Sequence, residues 1–437
     1  MRNLIKRCAN ILLMLLFLCI TVGIVYARVY IDITNPSFRK LPVAVPDFKM
    51  GNNYHPEFAP SFAEIMRNDL GYSGAFDVLN PEGFLEDPQK MGVTLQEINF
   101  PSWKSIGAEF LVRGLYRTEG SKLHLELRFY DAVRGKLVTG RAYDGDIKDH
   151  RIMIHHFADE IMKALTGEPG SFSTKLAFVN KTGDIQTLYT VDFDGYGPLR
   201  VTPEEKMVVS PNWSPDGVFI AYVGYEHERV KLKLLDAQTS SVRSLPVQSS
   251  VFVAPRFHPV KPILAVTLAR KNNPDIYLLD LDGRIVDTLV SGWSIEVPGS
   301  WSPDGKKLVY VSGETGEPQI YVYDTENRTR RRITFTGNYN TSPAWSPDGE
   351  WIAYSSRVEG YHQIFLTRPD GSEVYQLTFG QHNNEAPVWS PDGRMIAFQS
   401  DRGGKYEIWI MLRNGRNLRR LIKLPGEQKY PTWSPRL

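Results

Sequence analysis

The chain has 437 residues, with 51 Lys and Arg against 49 Asp and Glu, and a formal net charge of +2. This near balance argues against a nucleic-acid binder, because neutralising phosphates requires a strong basic excess or a basic stripe. Hydrophobic residues make up 42% and charged residues 23%, which argues against wholesale disorder, and two cysteines cannot build a disulfide-rich scaffold.

Residues 1–27 are predicted to be a cleaved secretory signal. Three basic residues precede an apolar run at 11–25, and the segment ends in Val25-Tyr26-Ala27, with small residues at the −3 and −1 positions of a cleavage site after Ala27. The alternative is a transmembrane anchor, but the apolar run is shorter than the roughly 20 residues that span a bilayer. Cleavage would remove both cysteines and change the net charge from +2 to −1.

Residues 28–168 are predicted to form a small α/β domain, because period-2 strand patterns alternate there with helical spacing of apolar residues. The first helix is expected to end at Gly71 and the last at Gly167. The predicted elements are, in order, strands at 29–33 and 41–45, a helix at 57–70, strands at 110–116, 122–130 and 135–143, and a helix at 149–165.

A repeat then occupies residues 169–437. Trp-Ser-Pro-Asp-Gly begins at Trp213, Trp301, Trp345 and Trp389, and all the spacings are multiples of 44 residues. The same register contains a truncated copy at Trp433 and a worn copy, Phe-His-Pro-Val, at Phe257. Six copies at a constant period indicate a repeat architecture.

Each unit of 44 residues is predicted to contain four short strands, which is typical of a propeller blade. Leu176, Leu188 and Val201 fall at the positions of the last three strands of a unit whose first strand is missing, while the C-terminal copy supplies only a first strand. The two partial units therefore complete a sixth blade. The predicted fold class is a small α/β domain followed by an all-β six-bladed propeller, closed by the C-terminal strand.

The repeated turn residues are interpreted as structural. In Ser-Pro-Asp-Gly, proline presets φ, aspartate bonds local backbone and glycine adopts positive φ. A carboxylate ring formed by the four aspartates and a ligand-stacking role for the tryptophans are the weaker alternatives. The aspartates are Asp216, Asp304, Asp348 and Asp392.

Signatures of an enzyme or a metal site are missing from the sequence. There is no Gly-x-Ser-x-Gly elbow, and no residues follow Leu437 that could supply a hydrolase domain. His155 and His156 are adjacent and should face different sides of a helix, so they are interpreted as surface or packing residues. We therefore predict no catalytic residue, no metal and no cofactor.

Two arginine clusters fall on or beside predicted outermost strands. They are interpreted as charges that block edge-to-edge pairing between molecules, with contact to an anionic partner as the alternative. The clusters are Arg328, Arg330, Arg331 and Arg332, and Arg413, Arg416, Arg419 and Arg420.

The loops on one face of the propeller are predicted to form a protein-docking mouth. Loops that enter innermost strands share this face with loops between second and third strands, and they carry amides, tyrosines and charged residues. Solvated loops without a partner are the alternative. The predicted partner-binding residues are His227, Ala254, Arg270, Tyr339, Asn340, Thr341, His382, Asn383, Asn384, Glu385, Gln428 and Tyr430.

The whole chain resembles the TolB family, periplasmic components of the Tol–Pal system of Gram-negative bacteria. The resemblance rests on the leader, the α/β domain and the units of Pro-x-Trp-Ser-Pro-Asp-Gly followed by runs such as Ile-Ala-Tyr and Ile-Tyr-Val. The departures are the worn copy at Phe257, the missing motif near position 169, and Gly299 in place of the proline.

The resemblance implies partners rather than a substrate. In this family the propeller mouth docks the peptidoglycan-associated lipoprotein Pal, and colicin translocation segments use the same mouth; outer-membrane proteins are further possible partners. The mature N-terminal stretch is implied to be tucked between the domains or released to contact TolA. Here the matching residues are Arg28, Val29, Ile31 and Ile33, which alternatively form a permanent edge strand.

Two functions from different classes remain at this point. The first is a periplasmic, non-enzymatic scaffold of the Tol–Pal system that maintains the outer membrane and supports constriction at cell division. The second is an exported propeller hydrolase that acts on peptide or glycan at the channel.

Overall fold

The computed structural model describes residues 39–51, 55–270 and 273–436. The predicted signal and the proposed TolA-contact residues lie outside the described residues. Within the described ranges, no helix combines the length and the apolarity that crossing a membrane requires.

A mixed six-stranded sheet forms the N-terminal domain. Its order is β3-β1-β4-β5-β6, with β2 beside β4; strands β4 to β6 form the predicted antiparallel meander, and the other pairs are parallel. The strands are β1 (Leu41–Ala44), β2 (Lys49–Met50), β3 (Phe76–Val78), β4 (Phe110–Glu119), β5 (Lys122–Asp131) and β6 (Lys136–Asp146). The helices are α1 (Phe58–Tyr72), α2 (Phe100–Ser105) and α3 (His150–Thr166), with 3₁₀ turns at Pro81–Gly83 and Ile147–Asp149.

The two long helices pack against each other, and α3 also covers β5 and β6. The predicted apolar stripe of α1 is buried, and α3 ends as predicted at Gly167, whose φ of 88° suits a helix C-terminus. The predicted end of α1 at Gly71 is wrong, because the helix continues to Tyr72. The chain turns instead near Gly74, where φ is 72° and glycine is the residue that adopts it readily.

Six four-stranded antiparallel sheets follow, which confirms the propeller prediction. Blades 1 to 5 run in chain order, and blade 6 combines the last strand of the chain with the three strands after α3. From the innermost strand outwards, the strands are Val208–Trp213, Phe219–Glu226, Arg229–Asp236 and Val242–Ser244 in blade 1; Phe252–Phe257, Ile263–Arg270, Asn273–Asp280 and Ile285–Val290 in blade 2; Glu296–Trp301, Lys307–Ser312, Gln319–Asp324 and Thr329–Arg332 in blade 3; Asn340–Trp345, Ile352–Val358, Tyr361–Thr367 and Val374–Gln376 in blade 4; Asn384–Trp389, Met395–Ser400, Glu407–Leu412 and Arg419–Arg420 in blade 5; and Glu427–Trp433, Lys175–Thr182, Ile185–Asp192 and Leu199–Arg200 in blade 6.

The C-terminal strand closes the ring, as predicted. Trp433 lies opposite Leu176 in an antiparallel ladder, and its indole Nε1 donates to Thr174 Oγ1 at 2.7 Å. The innermost strands contact one another around the whole circle, including blade 6 against blade 1. Closure leaves no open end of the ring whose apolar face would need a cap.

The repeated turns have the structural role that was predicted. In blade 3, Ser302 Oγ donates to Asp304 Oδ1 at 2.6 Å and accepts from Lys307 N at 2.9 Å. In the worn copy, the imidazole of His258 replaces these groups, because its Nδ1 accepts from Val260 N at 3.1 Å and Lys261 N at 3.0 Å. The repeat tryptophans are buried between blades, each no more than 9% exposed.

Four arginines of the two clusters form ion pairs within the molecule: Arg328, Arg330, Arg413 and Arg420. Arg328 bonds to Asp287 of the preceding blade at 2.8 Å, and Arg413 to Asp348 of its preceding blade at 3.2 Å. For Arg419 the edge-blocking interpretation is wrong. Its guanidinium lies 3.9 Å from the centre of the Tyr72 ring, so it ties blade 5 to the end of α1.

Candidate functional site

A cavity of about 450 Å³ lies where the innermost strands of all six blades converge. Every blade contributes residues from the bulged segment of its innermost strand. A cavity that touches every blade of a closed ring lies on the ring axis, where propellers have their channel.

A β-bulge in each innermost strand shapes the wall of this channel. In five blades the bulged residue has positive φ and precedes a proline; these residues are Ser210, Ala254, Ser342, Ala386 and Tyr430. A bulge turns the following side chains, which here re-aims them at the axis. The constant spacing of 44 residues therefore repeats a wall element as well as a turn.

Blade 3 builds the same wall from a different pair of residues, because its proline comes first and is followed by a glycine. Pro298 occupies the position that has positive φ elsewhere, and proline cannot adopt it, so the register shift falls between Pro298 and Ser300. Gly299 fills the gap, because a Cβ there would lie 2.4 Å from the carbonyl oxygen of Pro343. The departure of Gly299 from the repeat is thus explained by close contact with blade 4.

Four predicted partner-binding residues line the channel itself: Ala254, Thr341, Glu385 and Tyr430. Glu385 accepts from Gln399 Nε2 at 3.0 Å, and its Oε1 lies 3.6 Å from Nε2 of His362. One carboxylate therefore stands near the loop side of the channel with its orientation held by an amide.

Tyr339, His382 and Asn383 lie on the loops that enter blades 4 and 5. The Tyr339 ring contacts the His362 ring edge-on at 5.5 Å. Asn383 is held by Asp401, which accepts from its backbone N at 2.7 Å and its Nδ2 at 2.8 Å. All three side chains are partly buried, so the loops present them in defined positions.

Asn340, Asn384 and Gln428 are fully buried, so direct contact of their side chains with a partner is ruled out, and we correct that part of the prediction. Each amide donates to another buried amide at 2.9 Å; the acceptors are Gln319 Oε1, Gln363 Oε1 and Asn180 Oδ1. Hydrogen bonds between buried amides rigidify the backbone that carries them, while Oδ1 of Asn340 and Oε1 of Gln428 have no partner among the described residues. These three residues hold the mouth loops in place.

Arginine adds charge beside this network. Arg402 donates through Nη2 to Asn384 Oδ1 at 2.6 Å and through Nε to Ser400 Oγ at 3.0 Å. Burial, and secondarily the charge of Arg402, lowers the pKa of His382 below its usual value. The His382 imidazole is therefore neutral at pH 7 and can both donate and accept a hydrogen bond.

His227 and Arg270 are exposed and line no part of the channel. Both lie at the ends of second strands, in blades 1 and 2, and residues 271–272 next to Arg270 are outside the described residues. The structure thus brings together the predicted residues of blades 4 to 6 with Ala254, and leaves these two on separate loops.

Sequence reasoning missed the opposite end of the channel. The residue before each of the five repeat tryptophans, and the residue before Phe257 in the worn copy, line the cavity; the six positions are Asn212, Arg256, Ser300, Ala344, Val388 and Thr432. The register that located the blades could have found them, since all six lie at one constant offset from the motif.

A second cluster of polar groups lies between α1, α3 and blade 6. His155 Nδ1 is 2.7 Å from Asp69 Oδ2, both residues are at most 2% exposed, and Arg151 Nη2 bonds to Asp194. Burial by itself lowers the pKa of His155, but the charge of Asp69 outweighs this effect, so the pKa of His155 is raised. Burial also raises the pKa of Asp69, to about 6. The interpretation of His155 as a packing residue is therefore incomplete, because it is half of a buried ion pair.

This cluster resembles a metal site in composition. Asp69, His155 and Asp194 can each place one ligand atom within 4.8 Å of the others. Arg151 already occupies the middle, however, bonding to Asp194 and lying 3.4 Å from His155 Nε2. Two cations of the chain thus balance the two carboxylates, so the charge that would attract a metal ion is neutralised.

Comparison with protein families gives two matches, one in each half of the chain's two-part organisation. The model described as the TolB amino-terminal domain matches residues 29–138, and the model described as the TolB beta propeller domain matches residues 162–437. The second match covers well over half of the chain.

Individual relatives carry the same description. "Tol-Pal system protein TolB" of Desulfosudis oleivorans is 36% identical over 66% of this chain and 66% of its own length, and that of Anaeromyxobacter dehalogenans is 34% identical over 62% and 61%. The chain thus spans about half to two thirds of the length of the curated relatives it matches. The crystal structure of TolB from Acinetobacter baumannii is 26% identical, with a TM-score of 0.78 over 91% of this chain and 97% of that one.

Proposed function

Because the chain belongs to the TolB family, we propose that it is a periplasmic, non-enzymatic scaffold of the Tol–Pal envelope system. It docks a Pal-like lipoprotein at the propeller mouth and signals to TolA through its N-terminal segment. In this role it maintains outer-membrane integrity and supports constriction at cell division. The leader of residues 1–27 directs its export.

The observation that carries the proposal is the preorganised mouth. Tyr339, His382 and Glu385 are partly buried side chains on loops whose backbone is fixed by buried amides. Association costs less when the binding surface is already ordered, so rigid aromatic and charged groups can act as binding hot spots. This arrangement favours a docking surface.

The mouth lies away from the N-terminal domain. The domain contacts the face that carries the Ser-Pro-Asp-Gly turns, where Arg394, directly after the turn of blade 5, donates through Nη2 to Thr166 Oγ1 of α3. The loop face is left for a partner. This separation supports a scaffold that receives one protein at the mouth while a second contacts its N-terminal end.

A groove of about 480 Å³ between the N-terminal domain and blade 5 supports the second contact. It is lined by Lys40, the end of α1, β3 and the outer part of blade 5, and Lys40 is close to the start of the described chain. We propose that partner binding changes whether residues 28–33 remain with the protein or reach TolA, which is a shift between two populations.

Biolayer interferometry with the Pal lipoprotein of the same organism tests the mouth. The chain from residue 28 onwards is immobilised, and Tyr339→Ala/His382→Ala is compared with Tyr375→Ala/His156→Ala, which removes the same side-chain types far from the mouth. We expect the first variant to bind at least 30-fold more weakly and the control to bind like the unmodified chain.

Equal binding by both variants would contradict docking at the mouth. Absence of binding by the unmodified chain, together with turnover of a peptide or glycan library, would replace the scaffold with the hydrolase alternative.

A further inference from the structure

The turn-side end of the channel has a polar half and an apolar half. Six equivalent residues precede the five repeat tryptophans and Phe257, and the four polar ones come from contiguous blades 6, 1, 2 and 3: Thr432, Asn212, Arg256 and Ser300. Ala344 and Val388 complete the circle. A ligand that fits this end needs one polar group and a short apolar stem.

Arg256 supplies an unbalanced positive charge to the polar half. Its Nε donates to the carbonyl of Gly299 and its Nη1 to the carbonyl of Pro255 at 3.0 Å, while Nη2 has no partner among the described residues. No described carboxylate pairs with the guanidinium, and burial is the sole influence on its pKa. Burial lowers the pKa of Arg256 to about 10, so the group remains charged at neutral pH.

The neighbours of Arg256 add hydrogen-bond donors. Asn212 Oδ1 accepts from Phe257 N at 2.9 Å, which leaves the Nδ2 end of the amide free of protein partners. Ser300 Oγ accepts from Trp345 N at 2.6 Å, so its hydroxyl proton remains available. Backbone groups thus occupy the acceptor atoms of both side chains and leave donors beside the guanidinium.

The channel's own acid does not neutralise this charge. Glu385 belongs to blade 5, which is opposite blade 2 in a ring of six, and it lies at the start of its strand, near the mouth. Its carboxylate is bonded to Gln399. The cavity therefore has a negative group towards the mouth and a positive group towards the turns.

We propose that the turn-side end of the channel is a carboxylate-binding subsite, with Arg256 as the ion-pair partner and Asn212 and Ser300 as flanking donors. Arginine pairs with carboxylates through charge-assisted hydrogen bonds, and the interaction is strong where water is scarce. The carboxylate belongs either to a free small acid or to an acidic residue of a peptide inserted from the mouth. Only the peptide source rests on the proposed docking function.

Isothermal titration calorimetry with two probes tests the subsite. Sodium glutarate represents the free acid, and the capped peptide Gly-Gly-Ser-Glu-Gly-Gly represents the inserted residue. We expect at least one probe to bind the unmodified chain. Arg256→Met should weaken that binding at least tenfold, and Arg357→Met, which removes an exposed arginine at the mouth, should leave it unchanged.

An uncharged isostere keeps the test independent of whether the variant folds. Glutaramide has the shape of glutarate without its charge, and we expect it to bind the unmodified chain at least tenfold more weakly. Arg256→Gln, checked by circular dichroism, replaces the methionine variant if that one unfolds.

Binding of glutarate alone, of the peptide alone or of both supports the subsite and identifies the source of the carboxylate. Binding of neither probe, equal binding of glutaramide, or equal binding by the Arg256 variants would overturn it. If the unmodified chain binds glutarate but does not bind Pal, the docking function would be refuted and the subsite would stand.

Discussion

The buried pair of His155 and Asp69 offers a direct test of how the two long helices of the N-terminal domain, α1 and α3, are held together. His155→Ala removes the imidazole 2.7 Å from Asp69 Oδ2 and leaves that carboxylate fully buried, with its Oδ1 already unpaired. Removing one partner of a buried ion pair costs about 3–5 kcal/mol. Asp69 can relieve part of this cost by taking up a proton, since its pKa is already raised to about 6. We therefore expect a loss of about 3 kcal/mol at pH 7.5.

Urea unfolding followed by far-UV circular dichroism measures this loss, and hydrogen exchange in α1 and α3 shows where it falls. His156→Ala is the matched control, because His156 is the next residue of the same helix and lies outside the cluster. We expect the control to change the free energy of unfolding by less than about 0.5 kcal/mol. If His155→Ala were as mild as His156→Ala, the pair would not stabilise the packing of α1 against α3 and the reasoning would be refuted.

Three further predictions follow from other contacts. The pKa values of His155 and Asp69 are both raised in the folded protein, so proton binding favours the folded state, and the proton-linked part of the stability decreases as pH rises through the folded values, while the hydrogen bond and packing of the pair remain. Asp69→Asn/His155→Gln should therefore flatten the pH dependence of the thermal midpoint between pH 4 and 8, and an unchanged profile would count against the titration of this pair. Asn384→Ala removes the buried amide that donates to Gln363 at 2.9 Å, and it should destabilise the protein by about 1–3 kcal/mol and weaken Pal binding. Unchanged binding in interferometry would show that the amide network does not position the mouth. Gly299→Ala places a Cβ 2.4 Å from the carbonyl oxygen of Pro343 and should lower the free energy of unfolding by about 1–3 kcal/mol, whereas Gly316→Ala, at a positive φ but in open space, should cost about 1 kcal/mol; equal values in urea unfolding would contradict the close-contact argument.

The sequence alone was enough for the blades and their closure. The motif that begins at Trp213 and recurs with a period of 44 residues predicted the number of blades, and the complementary fragments at 176 and 433 predicted the sixth. These features are legible because strand alternation and turn chemistry act over a few residues, so each unit carries its own local signal. The end of α1 was misplaced because the local signal is ambiguous there. Gly71 is compatible with a helix, and the positive φ that the turn requires occurs at Gly74.

The mouth was located in part. The register placed Thr341, Glu385 and Tyr430 at the channel, which the structure shows them to line. It did not separate them from Asn340 and Asn384, which have the same polar character but are fully buried. Burial depends on what packs against a residue, and a polar residue type at a loop says nothing about that.

The remaining groups became visible only in three dimensions. His155 and Asp69 are 86 residues apart, and Arg256 derives its significance from a cavity that six strands enclose together. A repeat period describes what neighbouring residues do alike, whereas an ion pair or an unbalanced charge depends on which unlike residues folding brings close. The ring was therefore determined by local chemistry repeated along the chain, and the chemistry within the ring was decided by tertiary contacts, because electrostatic interactions act through space and not along the sequence.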